Sequence, residues 1–233
     1  MGSDCPKVLT DVAEIPIIYR QLENLKKICE IPTVVVGFGS EQVIEKVGER
    51  AEYVLQSQQL GTGHAVLCAK EKLENKDFKN IVVLPGDHPL ISAETIKNMI
   101  SLHEKSSATT TISYVKVPKY KGIYEVFYNC GRIVRDSSGE ISDIVELRDA
   151  DEDQKNINEV NVSYYCFDAK WLWENIGRIN NDNVAGEYYL TDLIGIAKKQ
   201  GRKVASFRIE NPEEGMGVNT PEQKEIIERI IKN

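Results

Sequence analysis

The residues that say most about the fold are Asn80–Ser92, which read NIVVLPGDHPLIS. Four apolar residues, 81–84, are followed at once by Pro-Gly-Asp, so the run ends on an acid, Asp87. A continuous apolar run bounded by turn residues is typical of a strand buried on both faces of a parallel sheet. Because ligands of open α/β sheets bind beyond the carboxyl ends of the strands, Asp87 is expected at a ligand-binding edge.

Segments with strand character recur along the chain and alternate with helical patterns. The further strand candidates are 32–38, 51–56, 108–117, 161–167 and 203–209. Among the helical patterns, 92–105 has Ser92 as its N-cap and the last one has Thr220 as its cap. This alternation predicts an α/β fold, with a mostly parallel sheet flanked by helices, in a single domain, 1–233. Two short strands around a Ser-Gly turn within 123–150 predict an inserted β-hairpin.

The composition argues against a protein that binds nucleic acid or spans a membrane. The chain carries 29 Lys and Arg against 36 Asp and Glu, a net charge of −7, whereas a nucleic-acid binder needs a basic face. The apolar runs are far shorter than the ~20 residues that a membrane helix needs. The five cysteines are odd in number and scattered without a CxxC pair, which predicts reduced thiols in a cytoplasmic protein.

Three segments carry candidate binding residues, and each also has a purely structural explanation. Asp87 is placed to hold a cation, which can hold a phosphate, but an acid there can also cap the next helix or close a turn. The segment Gln56–Val66, QSQQLGTGHAV, has two glycines beside Thr62 just before a helix. They indicate a phosphate site, a nucleobase site or an ordinary flexible turn, and the glutamines favour the base. Asn219, just before the final helix, is either a ligand or a cap.

Seven stretches follow one another in the order, and near the spacing, of one enzyme family. They are SDCPKVL, QLGTGHAV, GDHPLI, GRIVRD…GEISDIVELRDA, EVNVSYYCF, GEYYLTDLIGIA and GVNTPEQ. Through them the chain resembles the sugar-nucleotide pyrophosphorylases, and among these the uridylyltransferase domain of bacterial N-acetylglucosamine-1-phosphate uridylyltransferases. The resemblance implies a Rossmann-like nucleotidyltransferase fold. It also implies that UTP and a sugar 1-phosphate, expected to be N-acetylglucosamine 1-phosphate, give a UDP-sugar and pyrophosphate with Mg²⁺.

The resemblance also implies a role for individual residues and leaves homo-oligomerisation open. Asp87 and Asn219 would hold Mg²⁺, and Lys7 would contact phosphate, so that Lys7 and Asp87 carry the catalysis. The uridine nucleotide would be surrounded by Gln56, Gln59, Gly61, Thr62 and Gly86, and the sugar would be bound by Gly131, Glu146 and Asn161. The attacking phosphate oxygen is already anionic, so no general base is needed, which agrees with the lack of a Ser-His-Asp or Cys-His arrangement.

The chain also departs from the family pattern in three places. Val162 and Ser163 stand where the family usually has Thr-Gly after Asn161, so we expect an altered choice of sugar. His88 replaces a residue that is commonly apolar. The family's opening strand and glycine-rich loop, LxxGxGTRM, have no counterpart, and the acetyltransferase domain of the bifunctional enzymes is likewise not present in the sequence.

The missing opening strand leads to two expectations. Two neighbouring strands should face a gap, and the chain as given should be a poor catalyst because the loop that cradles phosphates is lost. An alternative from another class is a non-catalytic module that binds a nucleotide sugar and retains the fold. A dehydrogenase is disfavoured because no GxGxxG follows a strand.

Overall fold

Helices and strands alternate along the part of the chain that the computed structural model describes, residues 5–232. The strands are β1 (Asp11–Val12), β2 (Ile15–Pro16), β3 (Thr33–Val36), β4 (Glu52–Leu55), β5 (Asn80–Val83), β6 (Thr110–Lys116), β7 (Arg132–Arg135), β8 (Ile141–Val145), β9 (Glu159–Asp168) and β10 (Val204–Arg208). The helices are α1 (Ile17–Leu25), α2 (Ser40–Val47), α3 (Thr62–Leu73), α4 (Ala93–Ser106), α5 (Glu152–Lys155), α6 (Ala169–Asn175), α7 (Asp192–Lys199) and α8 (Pro221–Lys232). None of the helices in this part of the chain is both long and apolar enough to cross a bilayer.

The central sheet has six strands, in the order β10-β6-β9-β7-β8, with β5 also paired to β9. β5, β6, β7 and β10 run in one direction and β8 and β9 in the other. The predicted α/β class and the inserted hairpin, β7–β8, are confirmed. The expected mostly parallel pairing is corrected, because the long β9 lies antiparallel between β5 and β6 and leaves β6–β10 as the parallel pair of this sheet.

Two further strand pairs stand apart from the central sheet. β3 pairs in parallel with β4 in a sheet of two strands, and β1 pairs with β2. Among residues 5–232, β3 has β4 as its one strand partner and β5 has β9, so each keeps one edge that no described strand pairs. All four residues of β5 are only partly buried, as are three of the four in β3.

Apolar side chains cover both faces of the central sheet and hold it between helices. Along β9, Val162 and Tyr164 point into one apolar cluster, with residues of α4 and α8, while Tyr165 and Phe167 point into the other, with residues of α3, α6 and α7. This alternation is the period of two that a strand imposes. Because helices pack on both faces of the sheet, the ends of its strands, from which the loops begin, have defined positions.

Candidate active site

Lys7, Asp87 and Asn219 come together although they lie far apart in the sequence. Asp87 follows the end of β5, Asn219 precedes α8, and Lys7 begins a short 3-10 turn, Lys7–Leu9. The Lys7 Nζ atom donates to Asp87 Oδ2 at 2.7 Å and to Asn219 Oδ1 at 2.7 Å. The carboxylate and the amide oxygen therefore converge on one cationic group, the ammonium of Lys7.

Neither Asp87 nor Asn219 caps the helix that follows it. The N-cap of α4 is Ser92, whose Oγ accepts from Thr95 N at 3.1 Å. At the start of α8, Thr220 Oγ1 accepts from Gln223 N at 3.3 Å. Both caps agree with the sequence analysis, and the structural explanations of Asp87 and Asn219 as caps are thereby removed.

Hydrogen bonds fix the loop of Asp87 against the turn that leads to Asn219. Val218 N donates to Asp87 O at 2.9 Å, and Ser92 N donates to a carboxylate oxygen of Glu214 at 2.9 Å. Gln21 is buried, and its Nε2 atom donates to Pro85 O at 2.7 Å and to His88 O at 3.0 Å. These hydrogen bonds therefore fix the main chain of the two segments that carry the candidate ligands, Asp87 and Asn219.

A buried polar relay connects the same two segments. The Tyr164 hydroxyl donates to Glu214 O at 2.6 Å and lies 2.8 Å from His88 Nδ1. Since that hydroxyl has a single proton, we assign the proton on the imidazole to Nδ1, which donates to the tyrosine oxygen. The His88 ring lies beside Gly217, where a Cβ would be 2.8 Å from its Nε2 atom, so a larger residue at that position would displace the ring.

Charge and burial act in opposite directions on the pKa of Asp87. Burial, the largest influence, raises it, but electrostatic interaction with His88 and Lys7 and the hydrogen bond from Lys7 together hold the pKa below its usual value. Burial lowers the pKa of His88, although the nearby Asp87 opposes this. The carboxylate is thus kept ionised at neutral pH, which is the state that can hold a cation.

The pair of oxygen donors fits Mg²⁺ in its chemistry. Mg²⁺ prefers hard oxygen ligands and is usually bound through one or two protein groups, with water and phosphate oxygens supplying the rest. Asp87 and Asn219 offer one carboxylate and one amide oxygen, and the ammonium of Lys7 shows that a positive charge fits between them. Within residues 5–232, no group of three or more His, Cys, Asp or Glu side chains is arranged to hold a metal.

The predicted nucleotide segment is clasped to the loop before α7. Gly61 has φ +107°, and a Cβ there would lie 2.7 Å from Tyr188 O, so only glycine fits. Gly63 N donates to the same Tyr188 O at 2.8 Å, and the Thr62 hydroxyl accepts from Leu190 N at 3.1 Å. The hydroxyl of Thr62 is therefore already engaged in holding the loop.

The other predicted nucleotide residues lie in the same region or beside the Lys7 turn. Gln56 Nε2 donates to Gly61 O at 3.1 Å and lies 3.0 Å from His64 Nδ1. Gln59 is exposed, and its Nε2 donates to Gln56 O at 3.2 Å. Gly86 lies under Val8, since a Cβ at Gly86 would be 3.2 Å from the valine Cγ1.

The three predicted sugar residues form one cluster. A Cβ on Gly131 would be 3.2 Å from Glu146 Oε1, and Asn161 N donates to Gly131 O at 2.9 Å. The Asn161 amide donates to Tyr165 OH at 2.6 Å and accepts from Ser163 N at 3.0 Å. The structure thus brings Gly131, Glu146 and Asn161 together.

The carboxyl of Glu146 has an unusual pKa. Burial raises it to about 7, and the nearby carboxylates of Asp149, Asp192 and Glu187 add to the effect while Arg132 opposes it. Near neutral pH the group is therefore divided between the acid, which donates a hydrogen bond, and the carboxylate, which accepts one.

The two substitutions beside Asn161 have different surroundings. Val162 is 1% exposed and faces away from Glu146, into the core, where a Cβ on Gly215 would be 2.7 Å from its Cγ1. The hydroxyl lost by the change from Thr to Val is therefore not lost from the sugar cluster, which corrects the expectation for Val162. Ser163 has φ +62°, a conformation that suits the glycine of the family pattern.

The buried relay and its supports were not foreseen from the sequence. Tyr164 is one of several aromatic residues of a strand, and its two partners lie 76 and 50 positions away. No local pattern links such residues. The only available signal was the unusual His88, whose side chain is unlike the commonly apolar residue at that position of the family pattern.

The fold is that of a nucleotidyltransferase. The family model described as "MobA-like NTP transferase domain" matches residues 1–141. The chain belongs to this family. That finding confirms the enzyme class expected from the sequence.

The chain is also similar to proteins of the kind that its sequence resembles, at identities of 42% and 39%. The bifunctional protein GlmU of Limosilactobacillus reuteri is 42% identical over 221 residues, which are 94% of this chain and 47% of that protein. GlmU of Clostridium novyi is 39% identical over 234 residues, covering 100% of this chain and 49% of that protein. The chain spans about half the length of these relatives.

Solved structures of sugar-nucleotide enzymes have the same fold. UDP-glucose pyrophosphorylase complexed with UDP-glucose matches with a TM-score of 0.73 and 20% identity, over 97% of this chain and 90% of that one. CMP:2-keto-3-deoxy-manno-octonic acid synthetase complexed with CTP matches with a TM-score of 0.66 and 15% identity, over 97% and 91%. These matches confirm the predicted nucleotidyltransferase fold.

Proposed function

We propose that the chain forms a UDP-sugar and pyrophosphate from UTP and a sugar 1-phosphate, with N-acetylglucosamine 1-phosphate as the first candidate. The observation that carries the proposal is the convergence of Asp87 and Asn219 on one cationic group beyond the end of β5. An acidic protein of net charge −7 repels two phosphate-bearing substrates unless positive charge is supplied locally. A cation held at this point supplies it.

The residues around this point would bind and orient rather than exchange protons. Asp87 and Asn219 would hold Mg²⁺, which when bound neutralises phosphate charge and polarises the phosphorus that is attacked. Lys7 would contact a phosphate oxygen. The attacking sugar-phosphate oxygen is already anionic, so the chain needs to align it with the leaving pyrophosphate rather than to activate it.

The sugar would lie at the cluster of Gly131, Glu146 and Asn161, which contact one another. Glu146 would bind a sugar hydroxyl, and the missing Cβ of Gly131 leaves room beside it.

The uridine nucleotide would be bound at Gln56, Gln59, Gly61, Thr62 and Gly86. The amides of the glutamines offer a donor and an acceptor to a base edge. Gly61 lets the backbone approach the ligand closely. Thr62, whose hydroxyl holds the loop, would contribute through its place in the loop and at the start of α3.

Pyrophosphate release from UTP or dTTP with a panel of sugar 1-phosphates tests this function. In the chain extended by the family's opening strand and glycine-rich loop, we expect turnover with UTP that requires Mg²⁺ and falls by at least about 10²-fold in Asp87→Ala, since a preorganised charge is removed from the reacting phosphates. The exposed Asp77→Ala is the matched control and should leave turnover unchanged. Turnover that is indifferent to Asp87→Ala would reject the proposed site.

A non-catalytic module that binds a nucleotide sugar is the second candidate. The open edge of β5 favours it, because the loop after β5 carries Asp87 while only one edge of the strand is paired by a described strand. Calorimetric titration with UDP-sugar separates the two: binding without any pyrophosphate exchange supports the module, and exchange supports the enzyme.

A further inference from the structure

The ammonium of Lys7 occupies the position at which a cation would be held by Asp87 and Asn219. Its Nζ atom is 2.7 Å from Asp87 Oδ2 and 2.7 Å from Asn219 Oδ1. The side chain of Lys7 is 40% exposed, whereas that of Asp87 is 14% exposed. The lysine thus reaches from the surface into a largely buried acceptor pair.

The neighbouring main chain is fixed, so only the lysine side chain is free to leave. Leu9 N donates to Pro6 O at 2.9 Å and Thr10 N donates to Lys7 O at 3.0 Å, which closes the 3-10 turn. Pro6 packs on Gly39, where a Cβ would collide with the proline ring. On the other side, Gln223 Oε1 accepts from Asn219 N at 2.6 Å and anchors that residue.

We propose that Lys7 is a positioning residue that competes with the divalent cation for Asp87 and Asn219. This inference rests on the proposed function, because it takes these two residues as the cation ligands. Before the cation binds, the ammonium keeps the two oxygens converged. When the cation enters, the ammonium is displaced and becomes available to a phosphate oxygen.

Simple electrostatics makes the two occupants exclusive. A lysine ammonium and a divalent cation repel each other strongly when both lie within ~3 Å of the same oxygens. Lysine suits such an exchange because its charge is compact and sits on a flexible stem, whereas the planar guanidinium of arginine binds in a fork. A partly exposed ion pair is also weak enough to be broken by a better ligand.

The competition predicts an effect opposite to that of losing a ligand. Removing the ammonium should tighten cation binding in the absence of nucleotide, because no competitor has to leave. It should at the same time lower pyrophosphate formation, because the phosphate contact is lost. A lysine with only a structural role would give weaker or unchanged cation binding.

Titration of Mn²⁺ with the full chain, followed by electron paramagnetic resonance without nucleotide, tests this. We expect Lys7→Met to bind Mn²⁺ about three- to tenfold more tightly than the unchanged chain, as suits the loss of a weak competing ion pair. Lys7→Arg, which keeps the charge, should stay near the unchanged chain. Lys79→Met is the control and should have no effect, because this exposed lysine precedes the start of β5 and is paired with Glu104 of α4.

The outcomes separate this inference from the proposed function. Unchanged or weaker Mn²⁺ binding in Lys7→Met overturns the competition. Mn²⁺ binding that survives in Asp87→Asn shows that the cation lies elsewhere, and it also overturns the competition. Pyrophosphate release from UTP and a sugar 1-phosphate is measured separately, with the chain extended by the opening strand and glycine-rich loop of the family, and its absence there would reject the proposed function whatever the Mn²⁺ affinities are.

Discussion

The Tyr164 hydroxyl oxygen lies 2.8 Å from the Nδ1 atom of His88, inside the protein and behind the candidate cation ligands. Tyr164 is fully buried, and its own proton goes to Glu214 O at 2.6 Å. The relay therefore joins the segment after β5 to the turn that leads to Asn219. Because both segments carry a candidate ligand, the spacing of the ligands depends on this contact.

Removing the Tyr164 hydroxyl should destabilise the fold. In Tyr164→Phe the His88 Nδ1–H and the Glu214 carbonyl lose their shared partner, and an unsatisfied buried polar group costs about 1–3 kcal/mol. Urea unfolding measures the change. Tyr128→Phe, at a tyrosine that is 46% exposed, is the control and should shift the free energy of unfolding by no more than about 0.5 kcal/mol. Equal effects of the two variants would contradict the relay.

Val162→Thr should change stability rather than the choice of sugar. The side chain is 1% exposed and packs near Gly215 and Val115, so a hydroxyl there would be buried without a partner, at a cost of about 1–3 kcal/mol. Val184→Thr, at a valine that is 73% exposed, is the matched control. Restored preference for N-acetylglucosamine 1-phosphate in Val162→Thr, without loss of stability, would contradict this assignment.

Local patterns predicted the elements well because their causes are local. The Ser92 and Thr220 caps, the apolar run of β5 and the hairpin in 123–150 each depend on residues close together in sequence, and each was found. The pairing of β9 was not predictable in this way. The pairing depends on which strands β9 lies beside in the folded chain. An apolar run has the same sequence pattern whether the neighbouring strands are parallel or antiparallel to it.

The candidate site shows the same division between local and distant causes. The resemblance named Asp87, Asn219 and Lys7, and the structure brings them together. The direction of the Val162 side chain was missed, because a period of two along β9 turns it away from Asn161 and towards Gly215. The partners of Tyr164 were missed because they come from distant segments.

Glu146 should make the stability of the protein fall as the pH rises. Its pKa is about 7 in the folded protein against 4.5 for an ordinary glutamate, so between these values the folded state binds more protons than the unfolded state. Stability then decreases with rising pH across this window and is constant, for this group, below and above it. Burial is the main cause of the raised pKa, and the negative charges of Asp149, Asp192 and Glu187 add to it.

Comparing Glu146→Gln with the unchanged chain isolates this effect. We expect the variant to gain relative stability between pH 4.5 and pH 7, by up to roughly 3 kcal/mol at about 1.4 kcal/mol per pKa unit. Urea unfolding at several pH values measures the slope. Glu71→Gln, at an exposed glutamate, should follow the unchanged chain. Parallel pH profiles for Glu146→Gln and the unchanged chain would contradict the raised pKa.

Extending the chain by the opening strand and glycine-rich loop of the family should complete the sheet beside β3 and β5 and raise turnover. β3 and β5 each have one strand partner among residues 5–232, so the backbone groups along their other edges are not paired by a described strand. An added strand would pair such groups, and the loop after it would offer N–H groups to a triphosphate. We expect the extended chain to release pyrophosphate from UTP at least about 10²-fold faster, as for other preorganised donors.

Hydrogen exchange should be faster at Val34 and Ile81 than at Phe167 in the chain as given, and slower at both in the extended chain. An extension that ends after the strand is the control, because it supplies the pairing without the loop and should restore protection but not turnover. Comparable turnover by the chain as given and the extended chain would refute the prediction.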